Sequence, residues 1–153
     1  MKSHKNILEK YFSKADLDLI AKEIAKQEEI TSGEIRVSIH AKRTWLERNR
    51  SIHEMAVREF HRLKMHMTKE RSGVLLYFIF EARQFYILAD EGIHLKAKEV
   101  WESVAASVTK DFKEAKYCEG ICEAVRTVGK ALQEHYPYKS GKSNELSDEV
   151  ELS

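Results

Sequence analysis

The 153-residue chain has one proline, six glycines and two cysteines. The glycines are scattered, so no G-x-x-x-x-G-K-[ST] or G-x-G-x-x-G loop is there to cradle phosphate, and neither G-x-S-x-G nor H-E-x-x-H occurs. Cys118 and Cys122 make a C-x₃-C pair rather than the C-x₂-C of most zinc sites, and no second Cys/His pair follows at ligand spacing. One helical turn apart, they read as two small apolar residues facing a core, with a redox pair or metal half-site as the rarer alternative. The longest apolar run, over 74–80, is too short to span a bilayer. The opening MKSHKNILEKYF lacks the apolar stretch and small-residue cleavage site of a secretory signal, so a cytoplasmic location is expected. An excess of one charge is missing too: 26 Lys plus Arg against 25 Asp plus Glu leave +1. Without a broad basic field, nucleic acid is not the expected partner.

What is present suits a folded protein. Hydrophobic residues are 42% and charged residues 33%, which opposes disorder. One domain over 1–137, with a polar tail over 138–153, is expected to behave as a monomer. Ser13, with Asp16 three residues later, is a capping-box variant. Leu17, Ile20, Ala21, Ile24 and Ala25 then recur at helical spacing and predict a helix over 14–27. In TSGEIRVSIH the period changes to two: Ile35, Val37 and Ile39 alternate with Glu34, Arg36, Ser38 and His40, a strand over 34–40. A helix over 46–64 carries the apolar stripe Ile52, Met55, Ala56, Phe60 and Leu63. His53, His61 and His66 lie on or just after it, without the spacing of one metal clamp, and read as a solvated basic face. SGVLLYFIF reads as a strand buried on both faces. The short link Glu81-Ala82 joins it to RQFYILA as a hairpin. Ile93, Ala97, Val100, Trp101, Val104 and Val108 mark a third helix, and Ile121, Val125, Val128 and Leu132 a fourth, stopped by Pro137.

The order α–β–α–β–β–α–α predicts an α/β protein, a three-layer α/β/α sandwich around a small mixed sheet. A strand–helix–strand crossover makes the first two strands parallel, and the hairpin makes the third antiparallel. Three loops therefore meet at one rim: TSGE (31–34), KERS (69–72) and ADEG (89–92). They bring Glu34, Glu70, Asp90 and Glu91 together with Arg71. A hard cation takes such carboxylates, with hydroxyls and loop carbonyls completing the shell. The competing explanation is structural. Asp90 stands where an N-cap belongs, Glu91 falls in the first helical turn, and Glu34 has basic residues nearby to pair with. His40 belongs at the opposite rim.

TSGEIRVSIH, the helix ending near MTKERSGVLLYF, the RQFYILADEGI strand and turn, and FKEAKYCEGICEAVRTVGKALQEHYP together resemble the TPM domain. The tail NELSDEV is similar to the ends of small stand-alone bacterial members. The resemblance implies an α/β/α sandwich with a site at loops near the sheet's end, where some members bind a divalent cation, often calcium. It implies Glu34, from the GE opening of the first strand, and Asp90 and Glu91, from the ADEG turn, as metal ligands. Calcium is the expected cation, with magnesium or manganese as alternatives. An acid phosphatase activity attributed to plant members makes a metal-dependent phosphatase the second expectation, with Arg71 on a phosphate oxygen. A protein-interaction module in envelope or membrane-protein maintenance, with the tail NELSDEVELS as its contact, is the third.

Overall fold

A computed structural model describes residues 4–138 and 150–153. The chain runs α1 (His4–Leu8), α2 (Lys14–Glu28), β1 (Glu34–His40), α3 (Ile52–Arg62), β2 (Gly73–Ile79), β3 (Gln84–Ala89), α4 (Glu91–His94), α5 (Lys98–Lys113), α6 (Tyr117–His135) and β4 (Glu151–Leu152). Helix α2 starts at the expected capping box. Ser13 Oγ accepts from the Asp16 N–H (3.0 Å), and the Asp16 carboxylate accepts from the Ser13 N–H (2.9 Å).

The sheet order is β3-β2-β1-β4. β1 and β2 are parallel, in register from Glu34↔Gly73 to His40↔Ile79, and β3 is antiparallel to β2 from Val74↔Ala89. Strand β4 is an addition. It lies parallel to β1 at Ser38↔Glu151 and Ile39↔Leu152, so two residues of the expected polar tail extend the sheet. Most of that tail, including NELSDE, lies outside the described residues.

Helices cover both faces. Ile35, Val37 and Ile39 of β1 and Val74, Leu76 and Phe78 of β2 pack with Ile20, Ile24, Val104, Val108, Ile121 and Val125 from α2, α5 and α6. On the other face Leu75, Tyr77 and Ile79 pack with Met55, Ala56 and Phe60 of α3. This is the three-layer sandwich, and it explains why β2 reads as a continuous apolar run: every one of its residues is buried. Among the described residues no helix is long and apolar enough to cross a membrane.

Two predicted helices are divided. The helix expected over 46–64 is a 3₁₀ turn at Trp45–Glu47 followed by α3, because Ser51 caps a new start by accepting from the Glu54 N–H (3.0 Å). The helix expected from Ile93 onward breaks after His94, where the Trp101 indole N–H takes up the His94 carbonyl (3.0 Å) that a longer helix would have bonded.

The approach of α2 to α6 depends on Gly129. A β-carbon there would lie 2.3 Å from Gln27 Oε1 and 2.8 Å from Gln27 Cβ, and Gln27 is buried. Alanine's better helix propensity is worth about 1 kcal/mol, while overpacking a rigid neighbour costs about 1–3 kcal/mol. Gly129→Ala is therefore expected to lower unfolding free energy by up to about 2 kcal/mol, read from the urea midpoint.

Candidate functional site at the acidic rim

The three loops do meet. The Asp90 N–H donates to the Gly73 carbonyl (2.9 Å), and Gly73 is the register partner of Glu34. The Gly92 N–H donates to the Arg71 carbonyl (2.9 Å), and Ser32 Oγ donates to Glu70 Oε2 (3.1 Å). The end of α6 closes the same rim, a contribution the sequence did not signal. The Ser32 N–H donates to the Tyr136 carbonyl (2.9 Å), and the Tyr136 hydroxyl donates to the Gly92 carbonyl (2.6 Å). Gly92 is required by crowding rather than by an unusual φ. A β-carbon would stand 2.4 Å from the Glu70 carbonyl oxygen and 2.5 Å from that of Arg71.

Asp90 is both cap and ion-pair partner. Its carboxylate accepts from the Glu91 N–H (2.8 Å) at the start of α4. It also takes a two-point contact from Arg71, Nε to Oδ2 at 2.8 Å and Nη2 to Oδ1 at 3.0 Å. Such a fork is the strong form of ion pair. Arg71 holds φ at 52°, a left-handed backbone that glycine adopts more readily. Its Nη1 lies 3.4 Å from Glu91 Oε1, and Glu91 is largely exposed. Glu34, the third expected ligand, is fully buried at the start of β1. Topology thus gathers the expected residues at one rim. Among the described residues, however, no three His, Cys, Asp or Glu side chains form a group that could hold a metal ion. The three histidines of the second helical stretch do not assemble either: the His61 and His66 rings lie 4.5 Å apart, tilted at 53°, while His53 lies against Tyr86.

The opposite rim holds a buried polar cluster, of which the sequence pointed to His40 alone. Glu59 of α3 reaches His40 Nε2 (2.7 Å) and Arg62 Nε (2.6 Å) and accepts from Ser38 Oγ. The Ser153 hydroxyl meets the other ring nitrogen of His40. Arg36, on the same face of β1, binds Glu151 of β4 (2.5 Å). Both nearby carboxylate contacts to Ser38 and to His40 use one imidazole nitrogen and one Glu59 oxygen, so Ser38, His40 and Glu59 form a closed knot rather than a linear proton relay. The signal for Glu59 was its place on the α3 apolar stripe, one residue before Phe60. The cysteines pack, partly buried, against the core: burial pushes the Cys118 thiol up to about 12, with the charge of Cys122 adding.

Burial alone would raise the Glu59 carboxyl. Hydrogen bonds from His40, Arg62 and Ser38 and the charge of His40 outweigh it and hold the group at about 2, below its ordinary 4.5. A depressed folded-state value means that the stabilisation is complete above pH 4.5 and is lost as pH falls from there towards 2. Wild type is expected to exceed Glu59→Gln by about 2–3 kcal/mol at neutral pH, and the gap to close across that acid window. Urea unfolding of both proteins at stepped pH measures it.

Comparison with known proteins agrees with this layout. A model of the TPM domain matches residues 6–131. The NMR structure of the BA42 protein from the psychrophilic bacterium Bizionia argentinensis is similar over 94% of this chain and 96% of that one, with 28% identity and a TM-score of 0.83. The solution structure of the N-terminal domain of a protein from P. gingivalis shares the fold at a TM-score of 0.64 and 16% identity, over 84% and 83% of the two chains. No curated protein matches significantly. Since the family match runs through both faces of the sandwich and all three loops of the acidic rim, the chain belongs to the TPM domain family.

Proposed function

We propose that this TPM domain is non-catalytic and binds a divalent cation weakly at the acidic rim, calcium ahead of magnesium or manganese. The observation that supports this reading is the meeting of three oxygen-bearing loops around Gly92. Glu70 and Ser32 share a hydrogen bond, the Glu70 and Arg71 carbonyls crowd Gly92, and Asp90 and Glu91 adjoin. Carboxylates, a hydroxyl and backbone carbonyls are the donors that suit a hard cation, and calcium tolerates an irregular shell better than magnesium does. Asp90 and Glu91 would hold the ion together with the Ser32 hydroxyl and loop carbonyls; Glu34, closed off from solvent, backs the rim. The cation supplies charge that replaces the guanidinium of Arg71 on Asp90. That competition is the reason for weak affinity: the ion must displace a two-point contact before it gains Asp90. A phosphatase is the weaker reading, because Arg71, the group available to a phosphate oxygen, is already held by Asp90.

Calcium titration followed by amide NMR tests this. The amides of Ser32, Glu70, Arg71 and Glu91 are expected to shift together and to saturate with a Kd on the order of 10⁻³ M. Arg71→Ala removes the competitor and is expected to tighten binding several-fold, while Asp90→Asn abolishes the shifts. Rim amides that stay in place through about 10 mM calcium, ten times the expected Kd, or an Arg71→Ala protein that binds no better, would sink the proposal.

A further inference from the structure

At the end of the sheet remote from the acidic rim, a cleft of about 510 Å³ opens between the β2–β3 hairpin, the last turn of α5 and the start of α6. Its volume lies within the range of small-molecule sites. The wall is aromatic: Tyr11, Phe78, Phe80, Phe85, Phe112 and Tyr117. Their rings touch one another, Tyr11 with Phe80 at 4.7 Å, Phe80 with Phe112 at 5.5 Å and Phe112 with Tyr117 at 5.3 Å. Several of these rings are only half-buried, so they present apolar faces to the cleft instead of closing over it.

The charged residues at this cleft are of one sign. Arg83 and Lys113 line it, and no Asp or Glu does. Neither cation makes an ion pair among the described residues, whereas the nearby Lys116 is paired with Glu114 at 3.2 Å. Arg83 adds an independent sign. Its N–H closes the hairpin on the Phe80 carbonyl (3.1 Å), and its φ is 51°. The left-handed residue that closes such a hairpin is ordinarily glycine or asparagine, which adopts that backbone at less cost. The turn bonds through the Arg83 backbone, and its side chain makes no ion pair among the described residues.

We propose that the cleft binds a small monoanion with a flat apolar body, of the aromatic-carboxylate kind. The body lies on the wall formed by Phe85, Phe112 and Tyr117, and the anionic head meets Arg83 and Lys113. A ring body suits tilted aromatic neighbours, and two unpaired cations at the edge of an apolar surface give charge-assisted contacts to a carboxylate. This site is separate from the acidic rim, and its test is independent of calcium.

The full chain is titrated with 2-naphthoate and, separately, with its neutral counterpart 2-naphthol, by amide NMR and intrinsic fluorescence. Shifts confined to the hairpin around Arg83 and the end of α5 are expected, with naphthoate bound about tenfold more tightly than naphthol. Arg83→Gly is expected to weaken naphthoate binding about tenfold while leaving the melting temperature unchanged or raised, because glycine relieves the left-handed turn. That pairing separates a ligand-binding role from a structural one. Four results would each overturn the proposal: shifts elsewhere on the molecule, equal affinity for naphthol, full affinity in Arg83→Gly, or cleft amides that move with protein concentration alone. The last would identify a second copy of the chain as the occupant.

Discussion

The parallel pairing of β1 with β2 is the interaction on which the remaining architecture rests. A parallel pair cannot be joined by a tight turn, so a crossover is obligatory, and α3 supplies it. The crossover covers one face of the sheet, and α2, α5 and α6 cover the other. With both faces closed, β2 must be apolar along its whole length. The same pairing decides which chain ends meet. β1 and β2 begin together, and the antiparallel β3 finishes beside them, which places Ser32, Glu70 and Asp90 within one set of contacts. Neither rim would exist if β1 and β2 ran in opposite directions.

A consequence is the unusual state of β1. Its alternation predicts one apolar and one polar face, and on a half-exposed sheet the polar face would meet water. Here it is sealed: Glu34, Arg36 and Ser38 are all buried. Polar groups taken from water need partners, and isolated charges more so. Glu59 and Arg62 of α3 and Glu151 of β4 answer that need around Arg36, Ser38 and His40. Polar satisfaction as well as apolar burial therefore holds α3 and β4 at this edge. β4, two residues long, would have little reason to pair with β1 on hydrophobic grounds alone, since Leu152 remains about half exposed.

The elements legible in the sequence were those whose signals are local or periodic. The Ser13 capping box, the β1 alternation and the apolar run of β2 each depend on residues within one segment. The meeting of the three loops followed from them by topology alone, without a motif. What could not be read depended on partners distant in sequence. Tyr136 joins the rim through a hydroxyl that reaches Gly92, forty-four positions away. Glu59 stands on the apolar stripe of α3, but what it binds there is not visible until Ser38 and His40 are placed opposite it. The division of the helix expected over 46–64 was in principle visible, because Ser51 and Glu54 have the spacing of a helix start, but no glycine or proline marks the break. The choice between cap and ligand for Asp90 has a similar cause. Both readings need the same residue at the same turn, and the fork from Arg71 that competes for its carboxylate comes from another loop.

Arg71 and Arg83 show how one backbone solution serves two ends of the molecule differently. Both hold a positive φ, at 52° and 51°, in a turn that leads into or out of the sheet. A residue with a β-carbon gives up roughly 1 kcal/mol in that conformation. For Arg71 the loss has a visible counterweight: its fork to Asp90 joins the start of β2 to the end of β3, and a partly buried carboxylate makes that contact worth about as much as the strain. Arg83 has no such counterweight among the described residues. The hairpin would close as well with glycine, and the guanidinium stands instead at the edge of an aromatic cleft. Strain that is offset within the chain is a structural device. At Arg83, binding of the proposed anion is the process in which the side chain would contribute free energy.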